Sequence, residues 1–313
     1  MQSAPAVMSD IVNNVEKVII GKRHIIELAL TAIISGGHVL IEDVPGVGKT
    51  SLVSSFARSI NCSYKRIQFT PDVMPSDITG FSIYSPKTGE FEYRKGAILH
   101  QFVQADEINR ASSKTQASLL EVMEERQVTV DGTTYSAPSP FIVFATQNPQ
   151  ECVGTFQLPE AQLDRFSMCL SMGYPLISQE ISLVLNRNTD RPSDALEAVA
   201  SGENIQQLQT AASKIFINED VAAYIVALTT ATRSHPDIDL GASPRASLHL
   251  SRAAKAWALY SGRDFMLPDD VQHLFMHVLR HRIVLNRNAL MRGITSDHVL
   301  SQIMTSTKAP IVS

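Results

Sequence analysis

Between residues 38 and 172, short apolar runs alternate with stretches of helical spacing. HVLIE (38–42), YKRIQF (64–69), QFVQAD (101–106), FIVFAT (141–146) and MCLSM (168–172) read as short buried strands. Segments such as Ser51–Ile60 and Ser113–Arg126, which lie between strands, read as helices. This alternation predicts an α/β domain built on a five-stranded parallel sheet. Upstream, helical periodicity runs from about Val12 to Ile34, is broken at Gly21 and stops at Gly36–Gly37. Two hairpins interrupt the pattern. One spans 81–96 around Pro86–Gly89; the other spans 127–136 and turns at Asp131-Gly132. After Pro175 the strand signals stop, and the rest reads as helical with a turn near Pro236–Gly241. A boundary near 175–180 therefore divides an α/β domain, 1–178, from an all-α domain, 179–313, whose tail TSTKAPIVS reads as a disordered end.

Composition narrows this picture without naming a chemistry. The chain has 313 residues, 44% of them hydrophobic, enough for substantial cores. A net charge of −4 argues against a general nucleic-acid binder, which needs a basic face to release counterions. The three cysteines, Cys62, Cys152 and Cys169, fit neither a zinc spacing nor an even disulfide framework, and read as free thiols of a cytoplasmic protein. The start lacks the order of a signal peptide, and the apolar run Ile25–Ile34 is too short to span a bilayer.

The chemistry begins at EDVPGVGKTS (42–51), which ends like a phosphate-binding loop of the pattern G-x-x-x-x-G-K-[ST]. Gly46 and Gly48 let backbone amides curl around phosphate oxygens. Lys49 adds a point charge, Thr50 offers a hydroxyl to Mg²⁺, and the following helix points its N-terminus at the anion. The first glycine position, however, holds Asp43, which puts a negative charge near the phosphates. A second signal is Asp106-Glu107 at the end of a buried strand. There an aspartate can support Mg²⁺ and a glutamate can take a proton from an attacking water. Asn148 follows another strand, and Arg165 precedes the last one. In GASPRAS, Ser243 caps a helix with Pro244 at its first position, which sets Arg245 in the first turn, where a cation makes sense if an anion arrives.

Together, EDVPGVGKT, ADEINRASSKTQASLLEVMEERQVTV, FATQNPQE, LPEAQLDRF and GASPRAS resemble the MoxR family of AAA+ ATPases, over nearly the whole chain from about Val18 to Val284. The resemblance implies a P-loop NTPase domain with a helix-2 insert hairpin, followed by a helical lid. It implies ATP and Mg²⁺ as cofactors. Pro45, Gly46, Val47, Gly48, Lys49, Thr50 and Ser51 then form the Walker A segment, and Asp106 and Glu107 form Walker B, with Thr50 and Asp106 toward the metal and Glu107 the base. Asn148 matches sensor 1, and Arg165 matches an arginine finger reaching a neighbouring subunit. Arg245 matches sensor 2, touching the phosphates from the lid. Ile20 and Gly21 fall at the adenine pocket. A ring, most simply a hexamer, and a protein client, of which a von Willebrand-type domain protein is one type, follow from the same resemblance. So does a tolerated Asp43.

Several features stay open at this level. Arg110 and Arg126 rival Arg165 as the finger. His273, His277 and His281, four residues apart on one helix, suit either a metal or a polar lid face, and the polar face is preferred. Trp257 and Leu248 read as lid core. Phe81, Tyr84, Phe91 and Tyr93 read equally as cross-strand packing or as a grip on a client. The preferred function is an ATP-driven, chaperone-like remodeller. The alternatives are a nucleic-acid motor, for which the mixed charges of SPKTGEFEYRK are poor, and a nucleotide-switched scaffold with weak turnover, which Glu107 and Arg165 argue against.

Overall fold

The structure is a computed structural model that describes residues 3–148, 155–186 and 192–311. Among these residues eleven strands appear in chain order: β1 (Val39–Glu42), β2 (Tyr64–Gln68), β3 (Gly80–Ser85), β4 (Glu90–Lys95), β5 (Phe102–Asp106), β6 (Gln127–Val130), β7 (Thr133–Ser136), β8 (Ile142–Gln147), β9 (Met168–Leu170), β10 (Ile238–Leu240) and β11 (Val284–Leu285). Five of them form one sheet in the order β2-β5-β8-β1-β9, every pairing parallel. They are the five runs expected from the sequence. Their continuous apolar character follows from burial on both faces.

The period-two geometry of a strand sorts these side chains into two cores. Val39, Ile41, Phe102, Ile142, Phe144, Met168 and Leu170 face one way. Leu40, Val103, Ala105, Val143, Ala145 and Cys169 face the other. The first core also takes in α1 (Ala4–Glu16), α2 (Arg23–Ile34) and α3 (Lys49–Ser59), and Phe56 of α3 stacks on Phe144 at 6.4 Å. The second is closed by α4 (Pro75–Thr79), α5 (Ser113–Glu125) and Val128 of β6. α1 begins at Ala4, upstream of the periodicity first visible near Val12. Its apolar stripe Met8, Ile11, Val12, Val15 is buried, and Pro5 sits in its first turn, where a missing N–H costs nothing.

Both hairpins form where expected. Asp131 and Gly132 take φ of +49° and +79°, as a two-residue primed turn requires. Tyr93 of β4 stacks on Tyr135 of β7 with ring centroids 4.0 Å apart, so the hairpins pack on one another. At the tip of the first, Tyr84 pairs edge-on with Phe91, yet Phe91 remains 74% exposed.

After α6 (Glu160–Leu163) and β9 come α7 (Ile177–Asn186), α8 (Gly202–Ser213), α9 (Glu219–Arg233), α10 (Pro244–Tyr260), α11 (Pro268–Leu279), α12 (Arg287–Met291) and α13 (Ser296–Ser306). The helical reading needs three corrections. Ile238–Leu240 is a strand, not simply a turn, and pairs antiparallel with Val284–Leu285; runs this short carry no visible alternation. Leu248 is 59% exposed on α10, while Trp257 is half-buried and stacks on His273 at 4.1 Å. Thr305 and Ser306 belong to α13 and Ala309 packs against the core, so that part of the tail is ordered.

The histidine row is not a polar face. His273 and His277 lie against His24 of α2, whereas His281 is buried with Nε2 against the Phe166 carbonyl. Among the described residues no group of three or more His, Cys, Asp or Glu is arranged to hold a metal. Arg282, the residue after His281, is buried as well. Its side chain is 1% exposed and ion-paired with Asp164 at 2.8 Å, and it also donates to the carbonyls of Ser167, Val278 and Phe166. Burial lowers its pKa to about 10 against the support of Asp164.

Two predictions follow from these buried groups. Asp164→Ala strands a desolvated guanidinium and is expected to cost about 3 kcal/mol in denaturant unfolding. The second concerns acid. His38 accepts the Val143 N–H at Nδ1 (3.0 Å) and donates from Nε2 to the Met123 carbonyl, so its neutral form is built into the fold. Burial, then Arg126, pushes its pKa down to about 3. Burial, then nearby His24, takes His277 to about 4; burial, then Arg282, takes His249 to about 3 and lowers His281 as well. Folded pKa values below the ordinary 6.5 mean that the unfolded chain binds more protons from roughly pH 4 to 6.5. This stabilisation is complete above pH 6.5 and is lost as pH falls toward 4 and below. Urea midpoints measured across that window should fall steadily, with uptake of more than one proton on unfolding at about pH 5.

Candidate functional site

The chain leaves β1 at Glu42 and curls through Asp43–Gly48 into α3. Gly46 and Gly48 have φ of +85° and +95°, a region that L side chains avoid. Gly48 turns the loop directly into the helix, which is why α3 starts at Lys49, two residues earlier than its spacing suggests. No side chain caps this N-terminus, so its first amides keep their capacity for an anion. Lys49 Nζ donates to the carbonyls of Asp43 (2.8 Å) and Val44 (3.2 Å). Burial lowers its pKa, opposed by Asp43, Asp106 and Glu107. The Asp43 carboxylate is occupied by protein donors: Val44 N at 2.9 Å on one oxygen, Met172 N at 2.5 Å and Gly173 N at 2.7 Å on the other. Its charge is thus satisfied within the fold, which removes the electrostatic objection to an acid at this position.

At the end of β5, Asp106 is 5% exposed and fully engaged. Its Oδ1 accepts from Gln104 Nε2 (2.7 Å) and Thr146 Oγ1 (3.2 Å), and its Oδ2 pairs with Arg66 Nε at 2.5 Å. The same Gln104 amide donates to Thr50 Oγ1 at 3.0 Å, while Tyr64 donates to Gln104 Oε1. One amide therefore brings the Thr50 hydroxyl and the Asp106 carboxylate together. These are hard oxygen donors suited to Mg²⁺. With the uncapped helix and Lys49 beside them, they fit a magnesium–nucleotide phosphate group.

Glu107 follows in the left-handed region, φ +55°, with its N–H on Thr146 Oγ1. Its carboxylate accepts from Gln68 Nε2 at 2.8 Å and pairs with Arg110 at 3.2 Å. Arg66 in turn donates to Gln68 Oε1. Sequence reasoning missed Tyr64, Arg66, Gln68 and Gln104. The available signal was the polar residue at every second position of β2, which the register sets beside Phe102, Gln104 and Asp106.

Asn148 comes one residue after Gln147, which pairs with Glu42, so it lies level with the entrance of the loop. Positions 149–154, including Cys152 and the end of the FATQNPQE phrase, lie outside the described residues. Ile20 and Gly21 sit beside the connection that leaves β9. Gln179 Nε2 donates to the Gly21 carbonyl, and Lys22 Nζ to that of Tyr174.

The arginines are placed differently. Met168 is in register with Val39, so residues before Met168 lie where the strands begin, while the phosphate loop and Asp106 lie where they end. A four-residue strand separates the two levels by roughly 13 Å. Arg165 donates to the Leu120 carbonyl at 2.5 Å, and Arg245 pairs with Glu124 at 2.8 Å, one turn further along α5. Ser243, the cap of α10, donates to Asp164 and brings Arg245 there. Arg245 thus stands with Arg165 and not with Lys49, unlike the sequence expectation that it touches phosphates from the lid. Of the rivals, Arg110 pairs with Glu107 of its own chain, and Arg126 donates to the carbonyls of Gly36 and Phe141.

Comparison with known proteins identifies the family and the fold. Residues 38–168 match the ATPase family associated with various cellular activities (AAA), and residues 230–303 match the AAA lid domain. The chain is 48% identical to YeaC of Bacillus subtilis, itself uncharacterized, over 96% of this chain and 94% of that one. It is 40% identical to Chaperone MoxR1 of Mycobacterium tuberculosis, over 96% of this chain and 81% of the relative. A candidate ATPase of Cytophaga hutchinsonii, solved by crystallography, superposes with a TM-score of 0.91 at 36% identity, covering 98% of this chain and 96% of that one. With its phosphate loop, acidic strand end and lid in this arrangement, the chain belongs to the MoxR family of AAA+ ATPases.

Proposed function

We propose that this protein binds and hydrolyses Mg-ATP within a ring of identical subunits, most simply a hexamer, and uses the cycle to remodel a partner protein in the cytoplasm. One observation carries the reading. Lys49, Thr50, Asp106 and Glu107 gather at one end of the sheet, while Arg165 and Arg245, from different segments, stand at the other, each bonded to α5. A single chain so arranged holds the phosphates with Lys49 but keeps Arg165 and Arg245 away from the transferring phosphoryl group. A neighbour supplies them.

In this reading the amides of Gly46–Thr50, in the loop that Pro45 opens, hold the outer phosphates together with the Lys49 ammonium, with Ser51 behind them in the first turn of α3, and Ile20 and Gly21 border the base. Thr50 and Asp106 hold Mg²⁺, which supplies charge neutralisation when bound. Asn148 orients the water and Glu107 takes its proton, once freed from Gln68 and Arg110. Arg165 acts in trans, and Arg245 acts there too, beyond the role its motif first suggested. The Arg245–Glu124 pair is exposed, hence worth little and easily exchanged for a phosphate. Remodelling is favoured because the relative MoxR1 carries the name chaperone and the first hairpin exposes Tyr84 and Phe91. A von Willebrand-type domain protein is the client class to try first. Among the described residues no helix is long and apolar enough to cross a membrane.

ATPase rate per subunit should rise with protein concentration. Glu107→Gln and Arg165→Ala should each lower it by about 10³. Mixing the two variants should restore part of the activity, because the first brings intact arginines to the intact base of the second. Mixtures no more active than either variant alone would place the arginines in cis and defeat the reading. Gln68→Ala, which removes one restraint from Glu107, is expected to raise the client-free rate about fivefold, equivalent to one hydrogen bond of about 1 kcal/mol. Steady-state phosphate release checks it.

A further inference from the structure

Asp43 stands where the general phosphate-loop pattern carries its first glycine, yet it is not among the residues with positive φ, so the backbone there does not require glycine. The residue is 8% exposed. One carboxylate oxygen accepts from the loop itself, at Val44 N. The other accepts from Met172 N, Gly173 N and, at 3.3 Å, Ser171 Oγ. These three residues leave β9 and lead through Tyr174 into α7. The Asp43 carbonyl meanwhile accepts from Lys49 Nζ at 2.8 Å. One residue therefore touches the phosphate-binding lysine, the loop amide after it, and the exit of the last strand.

We infer that Asp43 is a positioning residue that couples occupancy of the phosphate loop to the connection entering the lid. Phosphate oxygens compete with the carbonyls of residues 43 and 44 for the Lys49 ammonium. When the lysine turns to the nucleotide, the backbone at residue 43 loses that restraint. Its carboxylate, through short charge-assisted bonds, carries the adjustment to Met172 and Gly173. Gly173, at φ +60°, provides a pivot beside the tie. An aspartate at this position thus acts on the response to nucleotide, not on its capture.

The inference rests on the ATPase reading, and the experiment separates the two. Asp43→Gly restores the general motif and removes the tie. Asp43→Asn keeps an acceptor for Val44 but turns an NH₂ toward two N–H donors; it decides the matter if the glycine variant does not fold. ADP affinity is measured by calorimetry, kcat and KM with Mg-ATP, and the lid response by emission of Trp257, the single tryptophan, on adding ADP. We expect ADP affinity and KM within about threefold of wild type, kcat lower by about tenfold or more, and the Trp257 response at least halved. Variants that turn over and report like wild type overturn the coupling. Affinity lost in step with kcat overturns it too and makes Asp43 a local support of the loop, as does a wild-type Trp257 that ignores bound ADP. A wild type that binds no ADP overturns the ATPase reading and this inference together.

Discussion

The common direction of five strands governs the rest of the molecule. Because every pairing is parallel, all strand ends fall on one edge of the sheet and all strand beginnings on the other. The phosphate loop after β1, the acidic pair after β5, Asn148 after β8 and the exit of β9 become neighbours though they are far apart in sequence. What precedes the strands, including His38 and Arg165, is carried to the opposite edge. Helices that start at the first edge direct N-terminal amides toward the same place, which is why such crevices take anions. The separation of Lys49, Asp106 and Glu107 from Arg165 is a consequence of sheet direction.

At the site edge the structure resolves a polar problem with polar partners. Asp106 is nearly buried and would be costly alone. Arg66, Gln104 and Thr146 complete its shell, and Gln104 extends the network to Thr50 and Tyr64. Glu107 is held more loosely, half-exposed, by Gln68 and Arg110. A closely held Asp106 and a more loosely held Glu107 suit the two tasks proposed for them, the one beside the metal and the other as a base that exchanges partners.

The lid is joined to the sheet by buried polar contacts as well as by apolar packing. Arg282 crosses to the Asp164 carboxylate and to the carbonyls of Phe166 and Ser167, Ser243 reaches the same aspartate, and His281 meets the Phe166 carbonyl. Asp43 makes a separate tie at the other end of β9. The short last strand is therefore held at its start by the lid and at its exit by the phosphate loop. Motion of either has a direct route to the other.

The five strands, both hairpins and the glycines of the phosphate loop were legible in the sequence, because each rests on chain-local physics: period-two burial, turn residues with positive φ, and side chains that favour or forbid a backbone region. The motif residues Lys49, Thr50, Asp106 and Glu107 were legible for the same reason, since each sits at a junction that its own neighbours define. The partners of those residues were not. Gln68 meets Glu107, and Gln104 meets Thr50, only through the register of β2 on β5 and the packing of α3. A one-residue slip would turn those side chains to the opposite face. His273, His277 and His281 looked like a polar face, because spacing reveals a face but not what covers it. The sequence alone determined which motif residues the chain carries and to which strand or helix each is attached. Tertiary structure decided that Asp43 turns its charge to the last strand and that Arg245 stands with Arg165, because both depend on contacts between segments that no local pattern links.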